Sequence, residues 1–246
     1  MEREQILTQA VGRLHSEGSR REFMRLAGLL GGALVLANCG DDDNGTGPGN
    51  QNVTLNFAQA IDVLKYAFAL EALEADFYTK VVANGSFNTA FSSASERTLL
   101  TDIRDHEVAH REFFKAAITA NGGTPPTLST KYPSSVDFAS RTSVLATAKT
   151  FEDLGVSAYN GAARYLASAA NVGLLTIAGK VVSVEARHAS AIRDLISPNT
   201  DAFANVSDIA SIGAVEANGL DAKASPAAVL AAAQPFINQT ITATGL

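Results

Sequence analysis

The stretches Glu107-Val108-Ala109-His110 and Glu185-Ala186-Arg187-His188 repeat one pattern, a glutamate followed three residues later by a histidine. On an α-helix, side chains at this spacing lie on one face about 5–6 Å apart, so one metal ion can be bound by both. A single Glu-x-x-His is weak evidence, because chance produces it often in helices. Two copies in one chain make a shared metal site the first hypothesis to test against the rest of the sequence.

Proline positions leave room for four long helices around these stretches. The blocks 49–124 and 134–197 contain no proline, which would interrupt the interior of a helix. Breaks at Asn84-Gly85 and at 170–173 divide each block in two. The predicted helices cover 57–83, 94–120, 143–169 and 174–196.

The lengths of the connections predict the topology. Short turns make antiparallel hairpins of the first two helices and of the last two. The segment 121–142, which begins with the helix stop Asn121-Gly122-Gly123, is long enough to cross the whole bundle, so that the second and third helices run parallel. The sequence therefore predicts an all-α four-helix bundle with one long crossover. A short C-terminal helix is predicted to begin at Ser225-Pro226.

Each predicted helix carries one glutamate at mid-length on its apolar stripe. These residues are Glu71, Glu107, Glu152 and Glu185. Four buried carboxylates without partners would each cost several kcal/mol of desolvation and would repel one another. Two divalent cations would balance the four negative charges, and the neutral imidazoles of His110 and His188 would complete the coordination. Glu74, one helical step from Glu71, is an alternative to it.

One glutamate from each of two helices and Glu-x-x-His from each of the other two resembles the di-iron or di-manganese centre of the ferritin-like superfamily. The segment from Leu70 to Tyr78, Leu-Glu-Ala-Leu-Glu-Ala-Asp-Phe-Tyr, is similar to the first helix of exported bacterial ferritin-like and desiccation-related proteins. The resemblance covers 55–197 and implies two iron or manganese ions. It implies the metal and catalytic residues Glu71, Glu107, His110, Glu152, Glu185 and His188. Glu107 and either Glu152 or Glu185 would bridge the ions, and the sequence leaves that choice open.

Three further residues lie near these positions in the pattern. Tyr78 and Tyr159 each follow the glutamate of their own helix by seven residues. They are interpreted first as core aromatics rather than redox tyrosines, and second as hydrogen-bond donors to a ligand carboxylate. His106 corresponds to Val184 in the other motif, so it is interpreted as a neighbour of the site or a surface residue rather than a ligand.

The N-terminal segment resembles an export signal. Arg20-Arg21-Glu22-Phe23 and the apolar run from Leu26 to Ala37 are similar to a twin-arginine signal, whose route carries folded proteins. Leu36-Ala37-Asn38-Cys39 resembles a bacterial lipobox, although Asn38 departs from the small residue usual there. Lipidation of Cys39 and plain cleavage both stay open. We expect the mature protein in the periplasm or cell envelope.

Composition excludes several other classes of function. The formal net charge of -6 argues against binding nucleic acid through a basic surface. The single cysteine, Cys39, excludes an intrachain disulfide and a cysteine-based zinc site. The longest uninterrupted apolar run is shorter than the ~20 residues of a membrane span. Membrane association is therefore expected only through lipid on Cys39.

These observations predict four regions and one leading function. The regions are a signal segment at 1–38, a flexible tether at 39–54, the bundle at 55–197 and a C-terminal extension at 198–246. The leading hypothesis is an exported di-metal carboxylate protein, a ferroxidase or peroxide-scavenging oxidase in envelope stress protection, which reacts with oxygen or peroxide. The alternatives are a manganese catalase-like enzyme and a non-enzymatic envelope or desiccation-related protein. The oligomeric state stays open, with a homodimer among the options.

Overall fold

The computed structural model describes residues 52–204, 215–217 and 220–246. The predicted export signal and Cys39 lie outside the described residues. The fold is an all-α bundle, as predicted. Its helices are α1 (Ala60–Ala83), the short α2 (Phe87–Ala90), α3 (Ala94–Ala120), α4 (Arg141–Ala162) and α5 (Val172–Ile196).

Contacts at one end of the bundle show that α3 and α4 run in the same direction. Arg141, at the start of α4, forms an ion pair with Glu96 in the first turn of α3, with 2.6 Å between Nη2 and Oε1. The same guanidinium donates to the carbonyl oxygen of Leu195, near the end of α5. The connection between α3 and α4 therefore crosses the length of the bundle, as predicted.

Glycine ends α3 at the predicted stop. The φ angle of Gly122 is 78°, a conformation that costs glycine little because it has no Cβ. The Gly123 N–H then donates to the carbonyl oxygen of Ile118 at 3.0 Å, which satisfies one of the unpaired carbonyls at the helix end.

The third helix ends earlier than the sequence predicts. The predicted range was 143–169, but α4 ends at Ala162 and is followed by 3-10 turns at Ala163–Leu166 and Ala169–Asn171. This segment is rich in alanine and contains no proline, so local propensity does not mark the end of the helix. Near this end the C-terminal extension approaches α4 closely at Gly161, where a Cβ would overlap the carbonyl oxygen of Ala224.

Two pairs of short strands supplement the helices and were not predicted. Strand β1 (Val53–Asn56) pairs in parallel with β4 (Ile241–Thr244), and β2 (Val215–Ala217) pairs antiparallel with β3 (Leu220–Lys223). Strands of three or four residues are too short for a convincing alternating pattern. The β1–β4 pair joins the two ends of the described domain.

The C-terminal extension packs on the bundle through α4. Helix α6 (Pro226–Ala233) begins at the predicted N-cap, where the Ser225 hydroxyl accepts a hydrogen bond from the Ala228 N–H. The backbone just before it attaches to α4, because the Ala224 N–H donates to the carbonyl oxygen of Ser157 at 3.0 Å. The extension therefore covers the side of α4 that faces away from the bundle axis.

By length and composition, the helical segment Ala169–Ile196 is apolar enough to cross a membrane. The longest apolar run does not identify it, because Thr176 and Lys180 interrupt the segment. Only 11% of its most apolar window is buried inside the protein. Its second half nevertheless carries the buried polar residues Glu185 and His188, so we assign it to the bundle.

Candidate metal centre

The structure brings all six predicted ligands together in the middle of the bundle. They are Glu71 on α1, Glu107 and His110 on α3, Glu152 on α4, and Glu185 and His188 on α5. The four glutamates are 0% exposed, and His110 and His188 are 8% and 5% exposed. The helical spacing read from the sequence thus places each of them on the inner face of its helix.

The candidate ligand atoms form two overlapping groups. One group contains Glu71, Glu107, His110 and Glu185, and the other contains Glu107, Glu152, Glu185 and His188. Within each group, the ligand atoms all lie within 4.8 Å of one another. Glu107 and Glu185 belong to both groups. The geometry therefore favours these two as the bridging carboxylates and gives each position one glutamate and one histidine of its own.

The hydrogen bonding of the buried atoms tests whether these residues fit metal ions. Among the described residues, both oxygens of Glu107 and of Glu185, and Oε2 of Glu152, have no hydrogen-bond partner. Imidazoles lie close to these oxygens, with 2.8 Å between His188 Nδ1 and Glu107 Oε1 and 3.1 Å between His110 Nδ1 and Glu185 Oε1, so the histidines are the counter-charges of the metal-free centre. Orphaned atoms of this kind are rare and costly in an ordinary core. Buried carboxylate oxygens and imidazole nitrogens gathered this closely fit a pair of metal ions.

Two tyrosines connect the hairpins through the candidate ligands. The Tyr78 hydroxyl of α1 donates to Glu152 Oε1 of α4 at 2.5 Å, and the Tyr159 hydroxyl of α4 donates to Glu71 Oε1 of α1. Both tyrosines are buried. The second interpretation of the sequence, a hydrogen bond to a ligand carboxylate, is confirmed for both. Each bond fixes the orientation of a glutamate that belongs to only one metal position.

A third supporting residue, His106, contacts one of the candidate ligand histidines. His106 Nδ1 lies 2.9 Å from His188 Nε2, and the two rings stack with centroids 5.1 Å apart. Because Nδ1 of His188 faces the carboxylates, its other nitrogen is the one that His106 contacts. A metal-binding imidazole is normally oriented by such a partner. His106 itself lies outside both ligand groups, as the sequence indicates.

Burial dominates the acid-base behaviour of the glutamates when no metal is bound. It raises the pKa of Glu71 to about 7, although the positive charge of His110 opposes the shift. Burial, with the charges of Glu107 and Glu71, raises the pKa of Glu185 well above its ordinary range. The pKa of Glu152 is also raised by burial. A metal ion therefore competes with protons for these carboxylates more strongly than it would at exposed glutamates.

The pKa values of the two candidate ligand histidines are raised, whereas burial alone lowers the pKa of an imidazole. Burial lowers the pKa of His188, but the charge of Glu152 and the contact with Glu107 outweigh it and raise the pKa to about 11. For Glu107, burial is likewise outweighed by contacts with His110 and His188, which lower its pKa. The metal-free centre thus balances its charge with protons on imidazoles and glutamates. Metal binding should release protons and strengthen as pH rises.

The structure also buries charged residues that the sequence did not assign to the site. Glu74, the alternative to Glu71, is 3% exposed and lies beside the centre, while Glu71 occupies the ligand group. Asp153 and Arg193 form a buried ion pair between α4 and α5. Asp153 adjoins Glu152 and is off the apolar stripe, so periodicity gives no reason to place it inside.

Replacing one tyrosine should weaken one metal position selectively. We expect Tyr159→Phe to weaken the position of Glu71, and Tyr78→Phe that of Glu152, each by ~10–100-fold, as is usual when the partner of a metal ligand is removed. Titration of metal-free protein with Mn²⁺ by calorimetry measures both affinities. Tyr165→Phe is the control, because Tyr165 packs on Phe57 away from the centre. Two unchanged affinities in Tyr159→Phe would contradict the assignment.

A comparison with known protein families matches the part of the chain that holds the candidate metal centre. The family model for the ferritin-like domain matches residues 59–198. That range contains the four long helices and all six candidate ligands. No curated protein matches the chain.

Proposed function

The chain belongs to the ferritin-like domain family, and from that premise we propose that it is a di-metal carboxylate protein whose two iron or manganese ions react with oxygen or peroxide. The observation that carries the proposal is the pair of overlapping ligand groups that share Glu107 and Glu185. Two shared carboxylates hold two ions close together. Such a pair can exchange electrons with one small oxidant, which is the chemistry that bound iron or manganese would supply.

The charge and type of the candidate ligands support iron or manganese. Four ionised glutamates balance two divalent cations, and the two imidazoles add no charge. Carboxylate-rich sets with imidazole suit iron and manganese, whereas soft thiolate ligands would favour copper or zinc. Copper and zinc bind most sites more tightly, so their exclusion depends on which metals are available where the protein folds.

The protein part of the centre has three tasks in this proposal. Burial of the four glutamates excludes water and strengthens their attraction for cations. Tyr78 and Tyr159 orient the two carboxylates that are not shared. His106 orients the imidazole of His188. The raised pKa values of Glu71 and Glu185 make both carboxyls able to hold a proton near neutral pH.

Two assays with metal-loaded protein test the reaction. Oxidation of added Fe²⁺ by oxygen or peroxide, lost in Glu107→Ala, supports a ferroxidase or peroxide-scavenging oxidase. Release of oxygen from peroxide without Fe²⁺ oxidation supports the manganese catalase-like alternative. Tight binding of two ions without either reaction contradicts the proposed activity and favours a metal that only stabilises the fold.

We also propose that the protein acts in the periplasm or cell envelope after export through the twin-arginine route. The support is the signal-like sequence from Arg20 to Ala37, followed by the lipobox-like Cys39. Export of a folded protein allows the metal to be inserted in the cytoplasm. The protein would be released after cleavage or held by lipid on Cys39.

Changing both arginines of the signal should block export. Because paired arginines distinguish this signal from a general one, Arg20→Lys with Arg21→Lys is expected to leave full-length precursor in the cytoplasm. Fractionation and immunoblotting measure the distribution, with Arg25→Lys as the control. Normal export of the double variant would refute the twin-arginine assignment.

A further inference from the structure

A fifth glutamate lies against the centre without a role in the six-residue ligand set. Glu74 is 3% exposed, and it stands one helical turn after Glu71 on α1 and one turn before Tyr78. Residues at these spacings share one face of a helix. Glu71 belongs to one metal position, and Tyr78 contacts Glu152 at the other. Glu74 therefore lies on α1 between the residues that serve the two positions.

Gly155 on α4 provides the space for the Glu74 side chain. Gly155 follows Glu152 by three residues, as Glu74 follows Glu71, so it is the corresponding position of the second hairpin. A Cβ on Gly155 would lie 3.2 Å from Glu74 Oε1 and 3.2 Å from Glu185 Oε2. The two carboxylates therefore converge on the backbone of α4 at a residue that has no side chain.

This convergence is unfavourable unless a cation or a proton lies between the two groups. Glu185 Oε2 is buried and has no hydrogen-bond partner among the described residues. Burial raises the pKa of Glu74 well above its ordinary range, and the charge of Glu185 is the next largest cause. Uncompensated like charges in a bundle interior are strongly destabilising. A metal ion held by Glu185 would turn this repulsion into a shared attraction.

We propose that Glu74 is a seventh metal-binding side chain of the centre, which reaches the metal beside Glu185 through the space left by Gly155. This inference rests on the proposed function. Glu74 is outside both groups of mutually close ligand atoms, so its carboxylate has to rotate towards the metal on binding. Five carboxylates carry one negative charge more than two divalent ions neutralise. The set therefore favours hard, highly charged cations over zinc and copper.

The test is titration of full-length, metal-free protein with Mn²⁺, followed by electron paramagnetic resonance of the bound ions. Glu74→Gln keeps the shape of the side chain and removes its charge. We expect at least ~10-fold weaker Mn²⁺ binding at one position and an altered spectrum. The control is Glu112→Gln on α3, because Glu112 is 38% exposed and pairs with Arg111 outside the centre.

A second pair of variants tests the space at Gly155. Gly155→Ala places a methyl group against both carboxylates and is expected to weaken Mn²⁺ binding in the same way. Gly179→Ala is the matched control on α5, because no atom lies within 4 Å of the added methyl group. These variants keep the test usable if Glu74→Gln does not fold.

The outcomes separate the two proposals. Unchanged Mn²⁺ affinity and spectrum in Glu74→Gln, with two ions bound by the wild type, would overturn the seventh ligand and leave Glu74 as a buried acid. Absence of Mn²⁺ and Fe²⁺ binding by the wild type would overturn the proposed function and this inference together. Weaker binding in Glu74→Gln and Gly155→Ala, but in neither control, supports the seventh ligand.

Discussion

Glu107→Ala and Glu185→Ala are each expected to reduce metal binding from about two ions per chain to less than one, whereas Glu71→Ala should leave about one ion bound. The reason is geometric, because Glu107 and Glu185 belong to both ligand groups and Glu71 belongs to only one. Loss of a shared carboxylate removes one ligand from each ion and leaves their mutual repulsion uncompensated. Elemental analysis after titration with Mn²⁺ and desalting measures the ratio.

The same series contains its own control. Glu112→Ala removes a partly exposed carboxylate of α3 that pairs with Arg111 outside both ligand groups, and it should retain full metal content. Two ions retained by Glu107→Ala, or equal losses in Glu71→Ala and Glu107→Ala, would show that the shared carboxylates do not bridge.

Removal of metal is expected to lower the melting temperature by roughly 10–20 °C near neutral pH. Each ion present at ~100 times its dissociation constant contributes about 2.7 kcal/mol. For a domain of this size, 1 kcal/mol changes the melting temperature by about 2–4 °C. Calorimetry with and without chelator measures the difference, and identical melting curves would contradict a metal-dependent core.

The effect of the chelator should increase with pH. Burial raises the pKa of Glu71 from 4.5 to about 7 in the metal-free fold, and Glu185 shifts in the same direction. A group whose pKa is raised by folding contributes its full stabilisation below the pKa of the unfolded state. This stabilisation is lost as pH rises through the pKa of the folded state. The pKa of His188 is raised from 6.5 to about 11. By the same rule, the stabilisation that its protonated imidazole contributes is lost progressively as pH rises above 6.5.

Metal-free protein should therefore become less stable between about pH 5 and pH 8, while metal binding strengthens as the competing protons leave. The difference in melting temperature between metal-bound and metal-free protein should be larger at pH 8 than at pH 5.5. Because the pKa of Glu107 is lowered, its contribution is lost only at acid pH and does not oppose this trend. A constant or decreasing difference would contradict the assignment of protons to the metal-free centre.

Helical periodicity is the reason that most of the fold could be predicted. The second predicted helix, 94–120, has the same bounds as α3, because a glycine-rich stop ends a strongly amphipathic segment. Prediction was poorer where tertiary contacts decide. Near the early end of α4, Ala224 packs on Gly161 from more than sixty residues away in the sequence. The short β1–β4 pair likewise depends on contact between the two ends of the described domain.

The candidate site could also be predicted from the sequence only in part. The apolar stripe of each helix places the six ligands inside, because the face that a helix buries is a local property of the sequence. The choice of Glu185 over Glu152 as the second shared carboxylate depends on distances between helices, which periodicity does not contain. The same holds for Glu74, whose position is explained by the absence of a side chain at Gly155 on another helix.

The central claim is that the buried glutamates and histidines bind two metal ions. The most direct measurement is elemental analysis of the full-length protein purified from cells that produce it, with metal expressed per chain and followed by Fe²⁺ and Mn²⁺ titration of the metal-free form. We expect about two iron or manganese ions per chain and recovery of both on titration. Protein that is purified without metal, binds neither ion and melts identically with and without chelator would contradict this claim.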